Sequence, residues 1–111
     1  MLTIGRRRGP EAPPVDLPTV SLIVTAFNEE AVLGDKLENT FALDYPSDRL
    51  QVVVVSDGST DGTDAVARSY DGRQGYLFLR QDVNAGKTVA QNVGVRASSG
   101  DVLVFSDANS M

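Results

Sequence analysis

Four short runs of this chain, residues 20–27, 50–55, 76–79 and 102–105, are almost wholly apolar and rich in β-branched side chains. A strand with one wet face alternates apolar and polar residues. These runs do not alternate, so they read as strands covered on both faces, the pattern of parallel sheets. Between them the period changes to that of a helix. Leu33, Leu37 and Phe41 recur along one stripe, then Val66 and Tyr70, then Val89, Val93 and Ala97. Strands joined by helical crossovers make parallel neighbours with helices on both faces. The order β-α-β-α-β-α-β therefore predicts an α/β fold with a Rossmann-like parallel sheet.

Local signals place the boundaries. Asn28 has the side chain of a helix N-cap, with Glu29 and Glu30 in the first turn, where the dipole favours acids. Tyr45-Pro46-Ser47-Asp48 breaks the first helix and Asp71-Gly72-Arg73-Gln74-Gly75 closes the second. Asn84-Ala85-Gly86-Lys87 opens the third, and Gly100 reads as its C-terminal cap. Residues 1–18 hold four of the five prolines together with Arg6, Arg7 and Arg8. They read as a flexible Pro/Arg-rich lead-in, and 19–111 as the folded domain.

Composition removes several chemistries. The 111 residues contain no cysteine and no histidine, so a disulfide, a thiolate nucleophile, a Cys/His zinc site and a Ser-His-Asp triad are excluded within the chain. The net charge of −5 opposes binding to a phosphate backbone, so no nucleic acid partner is expected. No apolar run approaches the ~20 residues of a membrane helix. No secretory leader is legible, and a cytoplasmic domain is expected.

Ligands of open parallel sheets bind beyond the carboxyl ends of the strands. Strand one ends in Phe27-Asn28-Glu29, strand two in Asp57, and strand four in Asp107-Ala108-Asn109, while Lys87 enters from the turn before the third helix. Carboxylates from separate strands thus meet on one rim with one cation among them. Crowded acids raise each other's pKa unless positive charge joins them. Asp and Asn oxygens are hard ligands suited to Mg²⁺ or Mn²⁺, which typically complete their shell with substrate phosphates. The combination points to a nucleoside diphosphate. Each residue alone also has a plain reading: Asp57 as a turn aspartate, Asp107 as a cap, Lys87 as a solvated lysine, Phe27 as core, and Glu29 as a partner of the helix dipole.

Other phosphate-binding signatures fit less well. Gly86-Lys87-Thr88 resembles the end of a phosphate-binding loop, but Gln81 stands where that loop needs its first glycine. No G-x-G-x-x-G follows the first strand. A nucleotidyltransferase would show a glycine-rich basic signature there, where Asn28-Glu29-Glu30 stands instead.

Four ordered motifs carry a resemblance: VSLIVTAFNE (20–29), VVSDGSTDGT (54–63), NAGKTVAQNVG (84–94) and GDVLVFSDAN (100–109). Together they resemble the family 2 glycosyltransferases of GT-A fold. The resemblance implies transfer, with inversion, of a sugar from a nucleotide-diphospho-sugar such as a UDP-sugar to an acceptor hydroxyl, in polysaccharide or glycan synthesis. It implies that Thr25, Ala26, Phe27 and Glu29 form the first nucleotide-binding motif, with the aromatic ring beside the base. Asp57 matches the aspartate that contacts the base. Lys87, with Asn92 and Gly94 beyond it, matches the segment lining the nucleotide-sugar pocket. Asp107 and Asn109 match the D-x-D motif that binds ribose and the metal-diphosphate, with Mg²⁺ or Mn²⁺ as cofactor. Ala26 replaces the family's usual proline. Asn109 replaces the second aspartate, which keeps an oxygen ligand and removes a charge. The resemblance further implies an acceptor that is a saccharide or lipid-linked. It also implies a parent protein that continues past Met111 to supply the catalytic base, with association to the inner face of a membrane through segments outside this sequence. No catalytic residue is therefore assigned here, and the chain is expected to be the donor-binding half. A non-catalytic nucleotide-binding module is the rival reading.

Overall fold

A computed structural model describes residues 17–109. Strands β1 (Val20–Ala26), β2 (Leu50–Asp57), β3 (Tyr76–Gln81) and β4 (Val102–Asp107) alternate with helices α1 (Leu33–Phe41), α2 (Thr63–Arg68) and α3 (Lys87–Ala97). A short 3-10 turn, Ser47–Arg49, leads into β2. The four strands form one sheet in the order β3-β2-β1-β4. All three pairings are parallel, as the unbroken apolar runs predicted.

The two central strands are the core. All of β1 is buried, and β2 is buried from Val52 onward. Leu22, Val24, Val52 and Val54 face α1 and α2, where they meet Leu33, Leu37, Ala67 and Tyr70, with Phe41, Val66 and Tyr76 against the cluster. Ile23, Val53 and Val55 face the other way, onto Ala90 and Val93 of α3. Each of these fully buried aliphatic side chains stabilises the fold by about 1.5–3 kcal/mol. The α1 stripe of Leu33, Leu37 and Phe41 is thus the one its spacing predicts.

The third helix keeps only part of its predicted stripe, since Val93 packs on the sheet and Val89 does not. Its buried residues are Ala90 and Gly94, and Val89 is exposed. Small residues let α3 lie close to the sheet, and this outweighs the larger side chain of Val89 in setting which face turns inward. Gly100 is not a helix cap either. Ser98 ends α3 in extended backbone, and a Cβ at Gly100 would come within 2.5 Å of the Ser21 amide nitrogen. That glycine lets the chain pass β1 closely as it enters β4.

Of the proposed lead-in, residues 1–16 lie outside the described residues. Leu17 and Pro18 are tied to the domain: Arg49 donates to the Leu17 carbonyl at 2.7 Å and the Tyr45 hydroxyl donates to the Pro18 carbonyl. On the edge strand β4, Val102, Leu103 and Phe105 are exposed. Among the described residues no helix is long and apolar enough to cross a membrane.

The α3–sheet contact yields a stability prediction. A Cβ on Gly94 would lie 2.5 Å from Ile23 Cγ2 and 3.4 Å from Val55 Cγ2. Alanine gains up to about 1 kcal/mol of helix propensity, whereas overpacking a rigid β-branched core costs about 1–3 kcal/mol. Gly94→Ala is therefore expected to lower the midpoint of thermal unfolding. An unchanged or raised midpoint would show that α3 is free to move away from the sheet.

Candidate nucleotide-diphosphate site

The register of the sheet gathers the polar strand ends. Thr25 of β1 pairs with Val55 of β2 and with Asp107 of β4. Registered parallel neighbours point to the same face, and Asp57 lies two residues beyond Val55. Thr25, Asp57 and Asp107 therefore share one face and one end of the sheet. It is the face that α3 covers, so the start of that helix delivers Lys87 to the same place. A cleft of about 310 Å³ opens there, lined by Thr25, Ala26, Phe27, Glu29, Asp57, Lys87, Asp107 and Asn109, together with Asn84, Gly86 and Ala108. The first eight of these are the residues that the sequence motifs propose as direct nucleotide or metal contacts. Asn92 and Gly94 do not line the cleft. Gly94 is spent on packing against Ile23 and Val55, and Asn92 is exposed on α3.

Asp57 is the most fully engaged of these groups. It is only 4% exposed. One oxygen accepts from Gln81 Nε2 at 2.7 Å and from the Ala85 amide at 2.8 Å. The other accepts from Asn84 Nδ2 at 3.0 Å and from the Gly86 amide at 2.9 Å. A buried carboxylate is tolerable only with such partners, and charge-assisted bonds are the strong ones. Asp57 thus shapes the 84–86 loop and, through it, the position of Lys87. Gly58 makes the approach feasible: its φ is +71°, and a Cβ there would collide with the backbone of Asn84. The family resemblance singled out Asp57 as a base contact and not for this second role. The only signal was the run of small and polar residues Asn84-Ala85-Gly86, which suits a loop whose amides turn toward an acid.

The opposite wall is looser. Lys87 Nζ lies 2.6 Å from Asp107 Oδ2, with side chains 57% and 37% exposed. The other Asp107 oxygen accepts from Thr25 Oγ1 at 3.3 Å. Lys36 on α1 adds a second cation to this environment: burial pushes its ammonium down, while the negative charge of Asp107 pulls the other way.

The corner after β1 does not follow the capping prediction. Asn28 has φ +51°, in the left-handed region, whereas an N-cap residue is extended. Its Oδ1 accepts from the Thr60 amide at 2.8 Å instead of from α1, which begins only at Leu33. Glu29 and Glu30 also precede α1, so they are not in its first turn, where the acid is Asp35; the Glu29 carbonyl instead accepts from the amides of Val32 and Leu33. Asp61, in the facing loop, accepts from the Thr63 hydroxyl and from the amides of Thr63 and Glu30, and these bonds hold its carboxyl below the ordinary aspartate value.

Among the described residues no three carboxylate, histidine or cysteine groups gather into a metal cluster. The cleft offers a divalent cation the Asp107 carboxylate and the Asn109 amide. That set fits a hard cation that takes one or two protein oxygens and fills its remaining positions with water and substrate phosphates.

The Asp57 network can be tested directly. Asp57→Asn replaces one acceptor oxygen with an NH₂ group that faces donors, so about 2–3 kcal/mol of stability is expected to be lost. Amide hydrogen exchange at Ala85 and Gly86 should accelerate more than exchange in the β1–β2 core. Uniform acceleration would show that Asp57 supports the whole fold and not this loop.

Comparison with known proteins agrees with the geometry. The sequence pattern of glycosyl transferase family 2 matches residues 21–110. A probable glycosyltransferase of Bacillus subtilis, YdaM, is 36% identical over 98 residues, which cover 85% of this chain and 23% of that protein. Among solved structures, the mannosyltransferase PcManGT from Pyrobaculum calidifontis, in complex with GDP-Man and Mn²⁺, superimposes with a TM-score of 0.79 at 35% identity. The match covers 83% of this chain and 28% of that one. S. aureus TarS 1-349 in complex with UDP-GlcNAc gives a TM-score of 0.77 at 27% identity, covering 82% of this chain and 26% of that one. The chain thus spans about a quarter of the length of these proteins, and the family pattern covers most of it: it belongs to glycosyl transferase family 2.

Proposed function

We propose that this chain forms the donor-binding part of an inverting glycosyltransferase, which moves a sugar from a nucleotide-diphospho-sugar, a UDP-sugar, to an acceptor hydroxyl. The observation that carries this reading is the single cleft holding Phe27, Asp57, Lys87, Asp107 and Asn109. The relatives support it, since one neighbouring structure holds GDP-Man with Mn²⁺ and another holds UDP-GlcNAc. Phe27 offers a partly exposed ring to the base, beside the wall that Asp57 holds in place. Thr25, Ala26 and Glu29 complete the nucleoside end. Lys87 neutralises the diphosphate. Asp107 and Asn109, in the place of the D-x-D motif, would hold Mg²⁺ or Mn²⁺. When bound, such an ion supplies positive charge against the departing diphosphate.

The ion pair between Lys87 and Asp107 is compatible with this exchange. Exposed pairs contribute only about 0–1 kcal/mol, so little is lost when Lys87 turns to a phosphate and Asp107 to a cation. The base that deprotonates the acceptor belongs to a part of the enzyme outside these residues. The acceptor is a saccharide or a lipid-linked molecule, and the product is a polysaccharide or glycan. We place the site at the cytoplasmic face of a membrane, to which other segments of the intact protein attach it.

Titration of the intact protein with UDP tests the reading. Mn²⁺ is expected to raise UDP affinity by at least about fivefold, the lower range of ordinary coupling between two ligands. Asp107→Ala should remove that gain while leaving metal-free UDP binding in place. Binding of UDP that is insensitive to both Mn²⁺ and the Asp107 substitution would favour a nucleotide-binding module that does not use a metal, the reading to which the missing charge at Asn109 lends weight.

A further inference from the structure

Among the described residues, Asn28 is the only non-glycine residue with a positive φ, at +51°. It sits between two residues that line the cleft, Phe27 and Glu29, and is not itself among the lining residues. Left-handed backbone is uncommon outside glycine, and asparagine is among the side chains that tolerate it best. Here it bends the chain directly after the buried strand β1, at the point where Phe27 stands 46% exposed on the cleft and Ala26 before it is 3% exposed in the core.

The bend is held by the loop after β2. The Asn28 amide donates to Ser59 Oγ at 3.0 Å, and Asn28 Oδ1 accepts from the Thr60 amide at 2.8 Å. Ser59 is itself fixed, because the hydroxyl of buried Ser56 donates to it at 2.9 Å. The Glu29 amide donates to the hydroxyl of fully buried Thr63 at 2.8 Å, and the Gly62 amide donates back to Glu30 Oε1 at 3.0 Å. Two loops from neighbouring strands are therefore fastened to each other, and Asn28 makes the two fastenings next to Phe27, one with its amide and one with its side chain.

We infer that Asn28 is a positioning residue for the nucleoside end of the cleft: it clasps the 27–29 corner to the 59–63 loop and so fixes where Phe27 and Glu29 meet the ligand. The inference rests on the reading of the cleft as a nucleotide-diphosphate site. It makes a claim that this reading does not contain. Lys87 and Asp107 stand on the other side of the cleft, held by α3 and β4, so loosening the clasp affects recognition of the nucleoside and leaves recognition of the diphosphate alone. A role confined to stability would weaken both.

The test measures two probes on the intact protein in the presence of Mn²⁺: UDP and inorganic pyrophosphate. Asn28→Ala removes the acceptor and disfavours the left-handed backbone. It is expected to weaken UDP about tenfold, the equivalent of about one hydrogen bond, with pyrophosphate affinity unchanged. Asn28→Gly keeps the backbone freedom and loses only the acceptor. It carries the same expectation in a smaller degree, and it decides the matter if the alanine variant does not fold. Asn28→Asp retains both the acceptor and the tolerance for left-handed backbone, and should restore UDP binding. Equal weakening of UDP and pyrophosphate, or UDP binding unchanged in both Asn28→Ala and Asn28→Gly, overturns the inference and leaves the cleft's reading intact. Wild-type protein that binds neither probe overturns the reading of the cleft and the inference together.

Discussion

The parallel register of β1 against its two neighbours is the constraint from which the rest of the molecule follows. Side chains alternate faces along a strand, so a slip of one residue would carry every β4 side chain to the opposite face. In the observed register Thr25 stands beside Asp107, and Asp57 lies two residues past the partner of Thr25 on β2. The acids of β2 and β4 are thereby placed on the face over which α3 starts. The register is secured by apolar residues far from any chemistry. Ile23, Val24, Val53, Val54 and Val55 are wholly buried, and no shifted pairing would seat them all. Burial at one end of the strands thus dictates the arrangement of charge at the other.

That division explains what was legible in the sequence. The strands, their parallel order and the α1 stripe follow from patterns repeated over many residues, and the common rim of Asp57, Lys87 and Asp107 follows from strand ends once the sheet is parallel. The features that escaped are those in which a local rule met a stronger tertiary demand. Asn28 has the side chain of a cap, but its oxygen is taken by the Thr60 amide across the loop. Gly100 has the look of a helix stop, but its place is set by contact with the Ser21 backbone. The Val89 spacing suits an inward stripe, but Ala90 and Gly94 permit closer packing on the sheet. In each case the competing partner lies more than thirty residues away along the chain or in another element, and no window of local sequence contains it.

The loops after β1 and β2 illustrate the same point in energetic terms. A left-handed asparagine and an exposed phenylalanine are both locally unfavourable. They persist because hydrogen bonds to Ser59, Thr60 and Thr63 over-determine the corner. Backbone strain maintained by surrounding structure tends to collect where a ligand must be met in one geometry. The motif residues of the 20–29 and 54–63 segments therefore act as one unit: some reach the cleft, and the others hold those that do.

The two walls of the cleft are built on opposite principles. On the β2 side, Asp57 is buried and each of its oxygens already has two donors, so that wall is rigid before any ligand arrives. On the β4 side, Asp107 is held by a solvent-exposed ion pair to Lys87 whose members are both useful to a ligand. A site that must recognise one base gains from a wall that cannot rearrange, because a preorganised surface spends no binding energy on ordering itself. A site that must gather a cation and a diphosphate gains from partners that exchange at little cost. The opposite charges of Lys87 and Asp107 offset each other in the free protein, which protects an acidic rim from its own repulsion. Each then releases the other when charges of the opposite sign arrive together. The asymmetry of the walls thus follows the asymmetry of a nucleoside diphosphate, whose base is identified by shape and hydrogen bonds and whose other end is identified by charge.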